Sequence, residues 1–139
     1  TMPVVYGKAE MIHKGSEIAL VAVGSMVETA CEVRKILKEK GLDVTVVNER
    51  FIKPIDAGMI HKLSFDHKLI VTMEENVGLG GFGDTVCQYA DDSQLDVKVL
   101  NIALPDDYVE HGNVSILKKE EGIDAAGVAD RVLSFYTNI

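Results

Sequence analysis

The chain has 139 residues, of which 47% are hydrophobic and 26% charged, so it can bury a sizeable core and is not a disordered tail. Its 14 basic and 22 acidic residues give a net charge of −8, which would repel nucleic acid or an anionic membrane surface. The longest apolar runs are strand-sized, and the sequence therefore predicts no membrane span.

The predicted elements begin with a hairpin arm at residues 8–13, which we expect as a short antiparallel edge strand. A continuous apolar run at residues 17–23 predicts a strand buried on both faces. Ser25 and Glu28 have the spacing of a capping box at the start of a helix, and Gly41 is a typical stop at its end. The apolar stripe of this helix comprises Met26, Ala30, Val33 and Leu37.

Three further strands are predicted at residues 43–48, 68–73 and 96–102. Asp56 is the predicted N-cap of a short helix through Leu63, between the first two of these strands. Asn113 and Asp124 are the predicted N-caps of two closing helices after the last strand. The second long helix is marked by Phe82, Val86, Tyr89 and Ala90.

This alternation predicts a doubly wound α/β domain. We expect a three-layer, mostly parallel twisted sheet of about five strands, one of them a short antiparallel edge strand, with helices on both faces. Residues 1–139 are expected to form one domain. Cys31 and Cys87 lie in predicted helices and make neither a metal pattern nor a disulfide framework, so we expect a reduced compartment, the cytoplasm.

A glycine-rich segment at residues 78–83 fits the G-x-G-x-x-G dinucleotide pattern between a strand and a helix. The fingerprint normally lies at the first βα turn, here Gly24-Ser25, and two carboxylates, Glu74 and Glu75, would repel a pyrophosphate. We therefore favour a glycine loop that allows close backbone approach or positive φ. A free-standing nucleotide-binding module remains the alternative.

Charged residues follow two of the predicted strands. Glu74 and Glu75 leave their strand in opposite directions, so they cannot act as a paired acid and base. Hydrogen bonding of one of them to neighbouring loop amides is favoured over contact with another domain. Arg50 could clamp a carboxylate or phosphate, but a salt bridge within the domain, to Glu49, Asp56 or Glu74, is favoured.

The four histidines lack metal-ligand spacing. His111 lies in a predicted loop, and as a general base it would need a partner that the sequence does not identify. No nucleophile elbow, Walker A or C-x-x-C motif occurs. We therefore predict no catalytic, cofactor-binding or metal-binding residue in this chain.

The carboxyl ends of parallel strands meet at one edge of a sheet, where open α/β folds place their contacts. Several charged residues and glycines of this chain follow strands and are expected at that edge. We expect them to contact other domains or to border an active site. These carboxyl-edge residues are Arg50, Glu74, Glu75, Gly80, Gly81, Asp106 and His111.

Five segments resemble the C-terminal, transketolase-like domain of the 1-deoxy-D-xylulose-5-phosphate synthase family. Residues 47–56 are similar to its RFxKPLD segment, and residues 71–83 to its VTxEE…GGxG segment. The other three, similar to its first βα turn, its LPDxxxxHG segment and its GLDAAG segment, are residues 22–27, 104–112 and 122–127.

The resemblance implies that the family enzyme joins pyruvate and glyceraldehyde 3-phosphate with loss of CO₂, for isoprenoid and thiamine synthesis. It uses thiamine diphosphate and Mg²⁺, which two upstream domains hold, and it is expected as a homodimer. The family's GDG…N motif for the diphosphate and metal is absent here. We therefore expect a fragment that binds no cofactor alone, is inactive alone, and has the upstream domains as its partners.

Two other thiamine enzymes share this pattern of elements. They are transketolase and the β chain of the first component of 2-oxo-acid dehydrogenases, and either could be the parent of this chain. The segments at residues 50–53 and 122–127 favour the synthase.

Overall fold

The computed structural model describes residues 7–50, 55–75, 81–103 and 124–139, and strands and helices alternate along them. The strands are β1 (Glu10–His13), β2 (Glu17–Ala22), β3 (Thr45–Asn48), β4 (His67–Glu74) and β5 (Lys98–Ala103). The helices are α1 (Met26–Glu39), α2 (Ala57–Asp66), α3 (Phe82–Asp92) and α4 (Ala125–Thr137). No helix in these ranges is long and apolar enough to cross a membrane.

The five strands form one sheet in the order β1-β3-β2-β4-β5. Strands β2 to β5 run parallel to one another, and β1 is the edge strand, antiparallel to β3. The central strand β2 is fully buried from Ile18 to Ala22, as its continuous apolar run predicts. The predicted sheet class is therefore confirmed.

Strand β1 does not form a hairpin with β2, and that part of the prediction is wrong. It pairs with β3, where Glu10 lies opposite Asn48. Both edges of β2 are already paired with the parallel strands β3 and β4, so the chain must cross the amino end of β3 instead. Gly15 lies at this crossing, and Ser16 N donates to Asp43 O at 2.9 Å.

Helices cover both faces of the sheet. On one face α1 and α4 contribute buried side chains that include Val33, Leu37 and Val132. On the other face α2 and α3 contribute a second cluster, which includes Ile60 and Phe82. The sheet is thus the middle of three layers, as predicted.

The predictions for the two ends of α1 have different outcomes. Ser25 has helical dihedrals (φ −65°, ψ −16°) and makes no side-chain cap bond, whereas a capping side chain needs an extended backbone. The predicted capping box is therefore wrong. At the other end Gly41 has φ +89°, and the bonds from Gly41 N to Lys38 O and from Leu42 N to Leu37 O complete a Schellman motif.

Two of the predicted N-caps are confirmed. Met59 N donates to Asp56 Oδ1 at 3.1 Å, and Gly127 N donates to Asp124 Oδ1 at 3.0 Å. The third predicted cap, Asn113, lies outside the described residues. These bonds satisfy amide groups that the first turn of a helix cannot pair internally.

A series of hydrogen bonds joins several elements at the amino edge of the sheet. The buried ring of His67 has Nδ1 2.9 Å from Leu63 O and Nε2 2.7 Å from Thr45 Oγ1. Gly15 N donates to the same Thr45 hydroxyl at 2.8 Å. The β1–β2 connection, β3, α2 and β4 are thereby held together.

Two carboxylates at this edge have lowered pKa values. The hydroxyl of Tyr136 donates to Glu17 Oε2 at 2.8 Å and holds the pKa of Glu17 below its ordinary value of 4.5. A contact of 2.9 Å between His13 Nε2 and Asp43 Oδ1 likewise lowers the pKa of Asp43. Both groups stabilise the fold as carboxylates, so their contribution is present above these ordinary values and is lost as the pH falls through the lowered pKa.

We therefore expect the stabilising effect of the Tyr136 hydroxyl to depend on pH. Tyr136→Phe should lower the denaturant midpoint at neutral pH, and the difference from the native chain should shrink as the pH falls below 4.5 and Glu17 becomes protonated. Tyr89→Phe is the matched control, because the Tyr89 hydroxyl lies 3.4 Å from His61 Nδ1 and bonds no carboxylate among the described residues. A Tyr136→Phe difference that is constant with pH would contradict this assignment.

Candidate functional site at the carboxyl edge of the sheet

The register of the strands brings their carboxyl ends to one edge. Ala22 at the end of β2 lies opposite Asn48 of β3 and Met73 of β4, and Glu74 lies opposite Ala103 of β5. Four of the carboxyl-edge residues fall in the described part of the chain: Arg50, Glu74, Glu75 and Gly81. The other three, Gly80, Asp106 and His111, lie outside it.

Glu74 uses both carboxylate oxygens within its own domain. It is only 7% exposed, Oε1 accepts from Phe82 N at 3.1 Å, and Oε2 accepts from Gly83 N at 2.6 Å. These amides belong to the first turn of α3, where unpaired N–H groups and the helix dipole favour a negative charge. Glu74 is therefore the cap of α3, which matches the favoured interpretation that one of the two glutamates binds neighbouring amides.

This capping argues against nucleotide binding at the glycine-rich segment. A dinucleotide site places its pyrophosphate at the N-terminus of the helix that follows the glycines. In this chain that position is filled by the carboxylate of Glu74. The amides of Phe82 and Gly83 are therefore not free to bind a diphosphate.

The glycines next to this cap allow close approach at one position. A Cβ on Gly83 would lie 2.7 Å from the Cγ atom of Asn101 on β5, so glycine lets α3 pack close to the sheet. Asn101 is held there by the Thr72 hydroxyl, which donates to its Oδ1 at 2.6 Å. Gly81 has φ −61°, which any residue can adopt, and its carbonyl accepts from the Thr85 hydroxyl. Gly83 thus allows close approach of a side chain and not the predicted close approach of two backbones, and Gly81 does not show the alternative positive φ.

Arg50 forms an ion pair within the domain, but with a partner that the sequence did not indicate. Its Nη2 atom lies 3.3 Å from Oε2 of Glu10 on β1, and the side chains are 19% and 49% exposed. The partner was missed because the pairing of β1 with β3 brings Glu10 to this edge, and that pairing was not predicted. A pair this exposed stabilises a fold by only about 0–1 kcal/mol.

Two further acidic side chains, those of Glu49 and Asp56, are buried. Glu49 is fully buried, and its Oε2 accepts from Asp56 N at 3.3 Å. Asp56 in turn accepts from Ala9 N at 2.8 Å through Oδ2, besides capping α2. These contacts join Glu49, directly after β3, to the N-terminus of α2 and to the residue before β1. Sequence reasoning considered both acids as partners of Arg50 and Asp56 also as the N-cap of α2, but no pattern in the sequence marked Glu49 as buried.

Glu75 is half-buried and does not share the environment of Glu74. Because Glu74 is committed to α3, the two neighbouring carboxylates do not form an acid–base pair. Among the described residues, no group of three or more His, Cys, Asp and Glu side chains is arranged to hold a metal ion. The described part of the edge therefore presents a charged surface.

The fold and this edge define a class of protein: a mostly parallel α/β domain in which charged residues at the carboxyl edge make contacts within the domain itself. Residues 7–128 match the family described as "Transketolase, C-terminal domain", and the chain therefore belongs to that family. The resemblance proposed from five short segments is thus confirmed in its family.

Among the most similar curated relatives are synthases of deoxyxylulose phosphate. The chain is 48% identical over 130 residues to the 1-deoxy-D-xylulose-5-phosphate synthase of Lachnoclostridium phytofermentans, covering 93% of this chain and 21% of that protein. It is 43% identical over 134 residues to the same enzyme of Dehalococcoides mccartyi, covering 95% and 21%. The chain thus spans about a fifth of the length of these relatives.

A solved structure has the same fold. The protein described as "Split gene transketolase, inactive beta4 tetramer" superposes with a TM-score of 0.84 at 25% sequence identity. The match covers 98% of this chain and 43% of that chain. The transketolase-type architecture predicted from the sequence is therefore confirmed.

Proposed function

We propose that this chain forms one domain, the C-terminal domain of a 1-deoxy-D-xylulose-5-phosphate synthase. The parent enzyme would join pyruvate and glyceraldehyde 3-phosphate into 1-deoxy-D-xylulose 5-phosphate and CO₂, for isoprenoid and thiamine synthesis. The observation that carries this proposal is the 48% identity over 93% of the chain to a synthase of which only 21% is covered. We further propose that the parent is a cytoplasmic homodimer.

In this proposal thiamine diphosphate and Mg²⁺ belong to the upstream domains of the parent, and the cofactor supplies the carbanion chemistry there. One observation supports this division of roles: Glu74 accepts from the amides at the N-terminus of α3, which could otherwise bind a diphosphate. This chain would contribute assembly and the shape of the active-site surroundings.

The carboxyl-edge residues are the proposed contact surface with those upstream domains. Arg50 is the best candidate for a direct contact, because its ion pair with Glu10 is partly exposed. Glu74 would act indirectly, since it holds the first turn of α3 in place. Glu75, Gly80, Gly81, Asp106 and His111 complete the proposed surface.

A reconstitution assay tests the proposed function. The isolated chain should show no turnover of pyruvate and glyceraldehyde 3-phosphate with thiamine diphosphate and Mg²⁺, and no thermal shift with this cofactor. The full-length parent should be active, and truncation after its upstream domains should abolish or severely reduce that activity. Turnover that scales with the concentration of the isolated chain would overturn the proposed role, and an inactive parent would overturn the proposed reaction.

Arg50→Ala tests the proposed contact surface. We expect it to lower turnover or weaken assembly of the parent, while the free energy of unfolding of the isolated chain falls by no more than about 1 kcal/mol. Lys14→Ala is the matched control, because the Lys14–Asp66 pair is also exposed but lies at the amino edge. Equal behaviour of the two variants in the parent would count against a contact at Arg50, and a loss above ~2 kcal/mol in the chain would make Arg50 a structural residue.

A further inference from the structure

The ion pair of Arg50 and Glu10 joins two backbone positions that the sheet fixes independently. Glu49 N donates to Ala22 O at 2.9 Å, so the residue directly before Arg50 is held against the end of β2. Glu10 lies opposite Asn48 in the ladder between β1 and β3. Both side chains therefore start from defined points at the carboxyl edge of the sheet.

The residue before Glu10 is also fixed. Ala9 N donates to Oδ2 of the buried Asp56 at 2.8 Å, and the other carboxylate oxygen of Asp56 caps α2. The carboxylate of Glu10 is thus attached to a strand that is held by the ladder on one side and by the N-terminus of α2 on the other.

The head group of Arg50 is held at the carboxylate of Glu10. Nη2 of Arg50 lies 3.3 Å from Oε2 of Glu10. An arginine side chain is long and flexible, and it loses rotamer freedom when its head group is held. An ion pair this exposed adds little to the stability of a fold, so its main consequence is the direction in which the guanidinium lies.

The guanidinium of Arg50 can bind a further partner while it contacts Glu10. It carries five N–H donors in a planar fork, which is more than one carboxylate can accept. The Arg50 side chain is 19% exposed, so its surface is not closed off by the described residues. Carboxylate and carbonyl oxygens are the acceptors that such a fork binds in proteins.

We propose that Glu10 is a positioning residue, which holds the guanidinium of Arg50 ready for a carboxylate or carbonyl oxygen of an upstream domain. This inference rests on the proposed function, in which the carboxyl edge contacts the upstream domains of the parent. It adds that the contact made by Arg50 depends on a carboxylate of β1. Glu10 itself need not touch the upstream domains.

A double-mutant cycle in the full-length parent tests this role. Glu10→Gln keeps the size of the side chain and removes its charge, and it should lower turnover about twofold to fivefold, which corresponds to about 0.4–1 kcal/mol, the range of an exposed ion pair. Arg50→Ala should lower turnover more. Glu10→Gln should then have no further effect in the Arg50→Ala background. Glu39→Gln, which changes an exposed acid at the end of α1, is the matched control and should leave turnover unchanged.

The outcomes of this cycle separate the inference from the proposed function. Native turnover in Glu10→Gln beside reduced turnover in Arg50→Ala would overturn the positioning role and leave the proposed function standing. An equal loss from Glu10→Gln with and without Arg50 would also overturn it. A parent without synthase activity would reject the proposed reaction, and the same cycle is then decided by the melting temperature of the parent.

An exchange of the two charges distinguishes a positioning role from a merely structural pair. The double variant Glu10→Arg, Arg50→Glu keeps an ion pair between the same two positions but moves the guanidinium to β1. The melting temperature of the isolated chain should stay within about 4 °C of the native value. Turnover of the parent should remain at the level of Arg50→Ala. Recovery of turnover in the exchanged variant would show that only the pair matters and would overturn the proposal.

Discussion

Glu74→Ala should lower the free energy of unfolding of the isolated chain by about 2–4 kcal/mol. This loss should be larger than that of Arg50→Ala, the other substitution at the carboxyl edge. The substitution removes the acceptor of two amide groups in the first turn of α3, those of Phe82 and Gly83. Both amides lie at a buried position that water cannot easily reach, and the favourable interaction with the helix dipole is lost as well. We expect α3 to fray from its N-terminus before the rest of the domain unfolds.

Urea denaturation of the isolated chain measures this loss. Glu74→Gln should give an intermediate value, because it keeps one acceptor oxygen and lacks the charge. Glu75→Ala is the matched control at the next position, where the side chain is half-buried and does not cap α3. A loss of less than about 1 kcal/mol in Glu74→Ala would refute the capping role.

Gly15→Ala should destabilise the chain by about 3 kcal/mol or more, because the added methyl group meets backbone atoms. A Cβ at this position would lie 2.6 Å from the carbonyl carbons of Asp43 and Val44, and still closer to the oxygen of Asp43. No side-chain rotation can relieve this overlap, so the crossing over β3 must move. The bond from Gly15 N to Thr45 Oγ1 would be lost with it.

Gly58→Ala is the matched control for Gly15→Ala. A Cβ on Gly58 would meet only Asp56 Oδ1 at an ordinary 3.5 Å, and in helix α2 alanine is preferred over glycine by about 0.5–1 kcal/mol. The control should therefore be neutral or stabilising. Amide resonances of β1, followed by NMR, should shift strongly in Gly15→Ala and little in Gly58→Ala. Unchanged β1 resonances in Gly15→Ala would contradict the close crossing.

Much of the fold could be predicted because its determinants are local. The apolar run of β2, the stripe of α1 and the caps Asp56 and Asp124 each depend on residues within one element. Element bounds were less exact: β3 begins at Thr45, two residues later than predicted. The class of the sheet follows from the alternation of such elements.

The order of the strands could not be predicted from the sequence, and for that reason β1 was predicted to pair with β2 and not with β3. Which strand lies beside which depends on contacts between residues far apart in sequence. The predictions for the carboxyl-edge residues were limited in the same way. Parallel strands place these residues at one edge of the sheet, but they do not determine the contact partner of each residue. Arg50 therefore pairs with Glu10, and Glu74 with amides of α3, for reasons visible only in three dimensions.

The hydrogen bond between Tyr136 and Glu17 joins residues 119 positions apart, which bears on how the chain folds during synthesis. One face of the sheet is covered by α1 and by Val128, Ala129 and Val132 of α4. At about 5–20 residues per second, a ribosome adds α4 many seconds after β2. During that interval this apolar face of the sheet can be covered by α1 but not yet by α4. The domain should therefore complete its folding only after α4 leaves the exit tunnel, and nascent chains stalled before α4 should be the ones that chaperones retain.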